Sequence, residues 1–191
     1  MEYKVLNNNR FQIDDFAIVP LREYDIYLIK DWRNSQMDVL RQKEQLSDSG
    51  QLNYYNNAIK PLFSQLYPSQ ILFSFLKEND CIGYGGLTNI DWESKRAELS
   101  FILDSIHAKN NELYEKEFSM FIRLIKKVLF EDLNFNRIFT ETYDIRPHHI
   151  SILEKNGFQL EGRMREHIQI NNKFVDSLIH GFLKEYYHAQ K

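Results

Sequence analysis

RIFTETYDIRPHHISILEKNGF, Arg137 to Phe158, carries the chain's clearest succession of strand, turn and helix signals. Its opening, Arg137 to Asp144, mixes β-branched and aromatic residues, which suit a pleated strand. Alternation puts Ile138, Thr140 and Thr142 on one face and Phe139, Glu141 and Tyr143 on the other. Pro147 is pre-set for the first turn of a helix, and Asp144 just ahead suits the positive end of its dipole. Ile150 and Leu153 mark the expected buried face. Lys155 favours the negative end, and Gly157 supplies the left-handed residue that stops the helix. Phe158 then opens another strand.

Upstream, Phe118, Phe121, Ile122, Ile125, Val128 and Leu129 give an amphipathic helix. It follows a polar loop, Asp104 to Glu112, and a strand, Ala97 to Leu103. Ile71–Leu76 and Cys81–Leu87 read as a hairpin about Glu78-Asn79-Asp80. Gly83, Gly85 and Gly86 in its second strand imply a bulge, close approach of ligand or backbone, or tight packing under large rings. Asp48 with Gln51 resembles a capping box, and the apolar face from Leu52 to Leu66 should break near Pro61. Tyr24, Leu28, Ile29 and Trp32 repeat at helical spacing. Phe16–Leu21 reads as the first strand, with Pro20 implying an edge position or an early end. Residues 1–14 read as a loose arm and 15–191 as a single domain. Downstream, Gln159–Ile170 and Phe174–Leu183 turn at Asn171-Asn172, which tolerates left-handed geometry. Periodicity alone thus gives a mixed α/β domain.

Composition narrows the function. The 191 residues are 43% hydrophobic and 27% charged, ordinary for a globular protein, with 14 Phe and 11 Tyr. A net charge of -3 argues against general attraction to nucleic acid or anionic membrane. The single Cys81 rules out an internal disulfide and a Cys-based zinc site, and next to glycines in a strand it reads as core rather than nucleophile. Met1–Arg10 is polar, unlike a signal peptide, and no apolar run is long enough to span a bilayer, so a cytoplasmic protein is expected.

The strand, helix and LEKNGF phrase resembles the closing half of the GNAT acetyltransferase fold, where an LEK-x-GF phrase ends the helix beside the coenzyme A tail. IVPLREYDIYLIKDWRN (Ile18–Asn34) and EGRMREHIQINNKFVDSLIHGFLKEYY (Glu161–Tyr187) resemble the branch that includes ribosomal-protein and amino-sugar N-acetyltransferases. The resemblance runs from Asp15 over nearly the whole chain. It implies an α/β (α+β) fold: a mixed, mostly antiparallel, splayed sheet flanked by about four helices. It also implies direct acetyl transfer from acetyl-CoA, as co-substrate, to a primary amine.

In such a frame the strand through Glu98 splays from its neighbour, and Phe101, Ile102 and Leu103 pair with the pantetheine arm. The next loop and helix N-terminus would hold the pyrophosphate. Family members carry glycines there; this chain has His107-Ala108-Lys109-Asn110-Asn111-Glu112-Leu113. Lys109 would supply charge, and Asn110 and Asn111 left-handed geometry. Arg146 stands where many members place Asn, and with His149 is expected at the cofactor. Leu153 stands where a Tyr protonates the leaving thiolate, so acid catalysis must come from elsewhere. Glu98 is the candidate base, Tyr143 could protonate the sulfur, and His167 is a further catalytic candidate able to act near neutral pH. Adjacent His148 and His149 diverge on a helix, so no metal is expected. Trp32, Arg33 and Arg41 beside Gln42, with Tyr84, should form the acceptor side. Arg suits phosphate or carboxylate and Trp suits stacking, which points to an amino sugar or nucleotide-linked amino sugar. Two alternatives stay open: a catalytically silent binding module of this fold, and a protein N-terminal acetyltransferase. The expected partner is a small-molecule amine, with no nucleic acid and no membrane, on a monomer or homodimer.

Overall fold

A computed structural model describes residues 1–189. Its strands are β1 (Phe11–Ile13), β2 (Phe16–Pro20), β3 (Ile71–Lys77), β4 (Asp80–Asp91), β5 (Arg96–Leu103), β6 (Arg137–Tyr143), β7 (Gln159–Ile170) and β8 (Lys173–Leu183). They form one sheet in the order β1-β2-β3-β4-β5-β6-β8-β7. Every neighbouring pair is antiparallel except β5 with β6. The helices are α1 (Ile26–Ser35), α2 (Asp48–Tyr54), α3 (Asn111–Lys126), α4 (Pro147–Lys155) and a short α5 (Lys184–Ala189). The last is one more than the sequence implied.

Tight turns sit where the sequence placed them. Glu78 and Asn79 between β3 and β4, and Asn171 and Asn172 between β7 and β8, all have positive φ, the geometry that two-residue hairpins require. Gly157, at φ 85°, ends α4. Pro20 ends β2 rather than lying on an edge. Near Pro61 the α2 helix, widened over Tyr55–Ile59, gives way to a 3-10 turn. The α2 cap is Ser47, whose hydroxyl accepts from the Gly50 N–H, one residue earlier than expected. On α4 the buried residues are His149, Ile152 and Leu153, with Ile150 only half-buried.

The N-terminal segment is not a loose arm. Tyr3 is fully buried, with its ring centroid 4.5 Å from that of Phe63. Its hydroxyl accepts from the Leu72 N–H at 2.8 Å, just past the point where Pro20 ends the neighbouring strand. Residues 11–13 of the same stretch form β1. A side chain thus closes a backbone rung that the strand order leaves open.

A row of rings runs under the sheet. Phe16 stacks on Phe75, Phe75 meets Phe121 edge-on, and Phe101 lies 4.7 Å from Phe121 and 4.6 Å from Phe118. Each buried ring of this kind contributes about 1.5–3 kcal/mol. This row fixes α3 against β3 and β5. Gly85 allows the fit: an added Cβ there would lie 2.2 Å from the Ser100 carbonyl oxygen and 2.9 Å from Phe121. Gly86, at φ 151°, sits equally close to the Ile71 carbonyl. The glycines therefore serve close backbone approach within the sheet. Lys126, on the last turn of α3, is also buried. Its ammonium donates to the Asn156 carbonyl at 2.7 Å and lies 3.4 Å from the Phe182 ring centroid.

Candidate active site

The parallel pair β5 and β6 stays together only over Arg96↔Arg137, Ala97↔Ile138 and Glu98↔Phe139. Beyond Glu98 the strands diverge, and a cleft of about 520 Å³ opens between them. On β5 the Ser100 and Ile102 carbonyls lean toward β4, at 2.2 and 2.9 Å from the Cβ positions of Gly85 and Gly83. Alternation then turns the backbone of Leu99, Phe101 and Leu103 to the gap. The Leu103 carbonyl accepts from Gln36 Nε2 at 2.9 Å. Of the residues expected to pair with pantetheine, Phe101 thus offers an open rung, Ile102 faces β4, and the Leu103 carbonyl is already engaged. An extended arm can add to this edge as a short strand.

Two chemistries face the cleft from opposite sides of the sheet. Even-numbered β5 residues share the side of Glu98, and odd-numbered ones that of Phe101. On the first side, Arg41 bridges two carboxylates, with Nη2 2.9 Å from Glu98 Oε1 and 2.8 Å from Glu141 Oε2. Glu98 is only 6% exposed, and its other oxygen accepts from Asn89. The β4 register shifts between Thr88 and Asp91, and Asn89 has a φ of 45°, which aims its amide at Glu98. One bulge therefore lies past the glycines, facing β5, and another lies beside Gly83, where the pairing with β3 shifts between Phe75 and Leu76. Tyr143 lies on the face of Glu141, with its hydroxyl buried beside the Arg41 guanidinium. Burial raises its pKa, with Arg41 opposing.

Arg41 belongs to the segment between α1 and α2. Asn34 bonds Leu46 through both its backbone groups, Gln42 bonds Asn34 and Arg33, and Gln36 anchors the start to β5. Arg33 lines the cleft. Trp32 and Tyr84, expected at the acceptor, are instead core residues at 5% and 8% exposure. His167 does not line the cleft; its Nε2 stands 3.7 Å from Glu141 Oε1 on the exposed β7 strand. Cys81 is half-buried against the core, and burial pushes its thiol up to about 12, consistent with an inert side chain.

On the other side lie Phe118, Arg146 and His149, and a second cavity of about 340 Å³ continues past them to the N-termini of α3 and α4. Lys109, Asn111, Arg146 and His148 line it, with Asp38 as the acidic member. Asn110 is not there: its side chain caps α3 by accepting from the Leu113 N–H. Side chains shape this glycine-free loop. Asp104 accepts from the Ile106 N–H, and His107 Nδ1 lies 2.9 Å from the buried Glu117. Lys109, Arg146 and free N–H groups at helix starts suit a phosphate-bearing tail. An open strand edge leading to a cationic cavity fits coenzyme A without a glycine loop.

His149 and Arg146 meet a residue the sequence reading missed. Arg146 Nη2 donates to Tyr114 Oη at 2.9 Å, and that oxygen lies 2.7 Å from His149 Nδ1. Glu141 and Asn89 were also missed. Strand alternation put Glu141 beside Tyr143, but nothing local revealed its partner 100 positions upstream. Among the described residues, no group of three or more His, Cys, Asp or Glu is arranged to hold a metal ion, and no helix is long and apolar enough to cross a membrane.

Comparison with known proteins matches this geometry. Residues 18–179 match the model of the acetyltransferase (GNAT) domain. A spermidine N-acetyltransferase from Vibrio cholerae, solved with CoA and spermine, superposes with a TM-score of 0.79 at 20% identity, covering 91% of this chain and 98% of that one. The spermidine/spermine N-acetyltransferase of the same organism, solved with manganese ions, gives 0.76 at 19% identity, covering 93% and 97%. These likenesses establish a shared fold, and the amino-sugar acceptor expected from the sequence finds no support in them. With the family model spanning most of its length, this chain belongs to the GNAT acetyltransferases and is an N-acetyltransferase that draws its acyl group from acetyl-CoA.

Proposed function

We propose that this protein acetylates the primary amine of a small cationic molecule. One observation carries the reading: Glu98 and Glu141 hold a single guanidinium nitrogen between them where β5 and β6 part. Two carboxylates in that position make a seat for a cation, and an incoming ammonium can take the place of Arg41. Glu98, next to the vertex, then accepts the amine proton directly or through water. The open rung at Phe101 holds the pantetheine arm, and Lys109 and Arg146 hold the phosphates. The polyamine named in the Vibrio cholerae structure is an acceptor of this charge type.

An amino sugar is the second reading. Ser69, Gln70, Thr88 and Asn89 line the cleft with neutral hydroxyl and amide groups that suit a polyhydroxylated ring. A nucleotide-linked sugar is less favoured, because Arg41, the group expected to meet its phosphates, is engaged by carboxylates.

The test is CoA release from acetyl-CoA against a panel of spermidine, short diamines, glucosamine, glucosamine 6-phosphate and a UDP-amino sugar. Turnover with the cationic amines and not with the phosphorylated sugars supports the reading. The reverse order would replace it with the amino-sugar acceptor, and failure of acetyl-CoA to bind in calorimetry would overturn both.

A further inference from the structure

We propose that His149, supplied by Tyr114 and Arg146, delivers the proton to the departing CoA thiolate, the task for which position 153 offers only a leucine. The inference rests on the acetyl-transfer reading and goes beyond it by naming a proton path.

Leu153 is fully buried in the core and has no proton to give. His149 lies one turn earlier on the same face of α4. It borders both the cleft between β5 and β6 and the cavity at the helix starts, so an arm threading from one to the other passes it. Its ring is held in place: it stacks on Phe118 with centroids 4.4 Å apart and planes 16° apart. Phe118 stacks in turn on Phe101, the residue with the open rung.

Hydrogen-bond direction then fixes the tautomer. A guanidinium only donates, so Arg146 Nη2 gives a hydrogen to Tyr114 Oη at 2.9 Å. The Tyr114 hydroxyl is left to donate its own hydrogen to His149 Nδ1, at 2.7 Å. A neutral imidazole accepting at Nδ1 carries its proton on Nε2. The surroundings keep it neutral: burial acts first, then the positive charge of Arg146 and the neighbouring His180 and His148, and together they hold its pKa well below the ordinary value.

The step balances in charge and protons. As the C–S bond breaks, the thiolate takes the proton from His149 Nε2, forming S–H. Nδ1 takes the proton from the Tyr114 hydroxyl, returning a neutral imidazole. The negative charge, first on sulfur, passes to the Tyr114 oxygen, where burial raises the pKa and the Arg146 guanidinium offsets part of that rise until the tyrosine is reprotonated. The proton released by the acceptor amine restores the tyrosine through solvent. His149 touches the reacting sulfur, Tyr114 refills its Nδ1 with a proton, and Arg146 positions the Tyr114 hydroxyl.

The experiment reads the thiol, independently of any acceptor. Ultraviolet titration gives the thiol pKa of CoA bound to the wild type, His149→Phe, which keeps a stacked ring, and Tyr114→Phe, which keeps all but the hydroxyl. Donation from Nε2 to sulfur should hold that pKa about one unit lower in the wild type than in His149→Phe, with Tyr114→Phe between them. Nitrogen-15 NMR should show His149 protonated at Nε2, with a resonance that moves on adding CoA but not desulfo-CoA. In turnover, both variants should lose roughly 100-fold in kcat with KM for acetyl-CoA within about twofold, the range of general acid catalysis. An unchanged thiol pKa in His149→Phe, or the same NMR response to CoA and desulfo-CoA, overturns the proton path alone. Wild-type protein that binds no CoA overturns the acetyl-transfer reading and the path with it.

Discussion

Lys126 makes stability depend on pH in a way that can be worked out beforehand. Burial depresses its pKa from 10.5 to about 7, despite the Asn156 carbonyl and the Phe182 ring beside it. Below pH 7 the ammonium is charged in both the folded and the unfolded chain, and the fold bears the whole desolvation cost. Between pH 7 and about 10.5 the unfolded chain keeps the proton while the folded one releases it, so stability rises with pH. At 1.36 kcal/mol per pKa unit, the rise from pH 7 to pH 9 is at most about 2.7 kcal/mol, and water reaching the ammonium lowers this to about 1.5–2.7 kcal/mol. Most other groups with displaced pKa values act outside the pH 7 to pH 9 range: His149 and His180 fall below 6.5, and Tyr3 and Tyr84 lie above 10; Cys81, whose thiol ionises near 9 when unfolded, opposes the rise only at the top of the range and cancels in a difference between variants. Urea unfolding of the wild type and of Lys126→Met, at fixed ionic strength from pH 7 to pH 9, isolates the effect as a difference curve. The wild type should gain on the variant by that amount over the range. A difference that stays flat to within about 0.5 kcal/mol would mean that Lys126 keeps an ordinary pKa in the folded chain.

Three other outcomes follow from the structure. Gly85→Ala sets a methyl against the Ser100 carbonyl and Phe121, so it should cost at least about 2 kcal/mol in denaturant unfolding and weaken CoA binding by displacing β5. Tyr3→Ala removes a fully buried ring and the partner of Leu72, and should lower stability by about 3–5 kcal/mol; a loss under about 1 kcal/mol would mean the N-terminal segment does not hold the sheet. Arg41→Ala vacates the seat between Glu98 and Glu141, so KM for a cationic amine should fall several-fold at low salt, while a phosphorylated amine should gain nothing; a rise in KM for the cationic amine would show that Arg41 recruits the acceptor rather than competing with it.

The parts of the fold that were legible in the sequence are those set by local chemistry. Asn171-Asn172, Gly157 and Pro147 each constrain their own backbone, and the structure places a turn, a helix end and a helix start at them. Tyr3 was not legible, because its role is to close a rung on a strand 69 positions away. Glu98 was singled out from its place at the head of β5, yet its partners came from a loop and a bulge with no pattern of their own. Arg41 stood out as a charge in a polar loop, which suggested phosphate; only folding shows that two carboxylates hold it. Trp32 and Tyr84 looked available because aromatic residues at helix and strand positions read alike whether they line a cleft or fill a core.

The row of stacked rings and the segment between α1 and α2 divide the cleft into two kinds of wall. One wall is aromatic, interlocked across α3, β3 and β5, and a change to any ring disturbs its neighbours. The other is a short span tied by a few amide hydrogen bonds, with side chains reaching inward. Mutational drift will therefore be filtered unevenly. Changes on the donor side will mostly be purged with the fold, whereas the residues between the Gln36 anchor and the Ser47 cap can be exchanged at less cost to stability. A lineage built on this scaffold can thus keep one acyl donor and trade acceptors by rewriting a single short stretch between two fixed points.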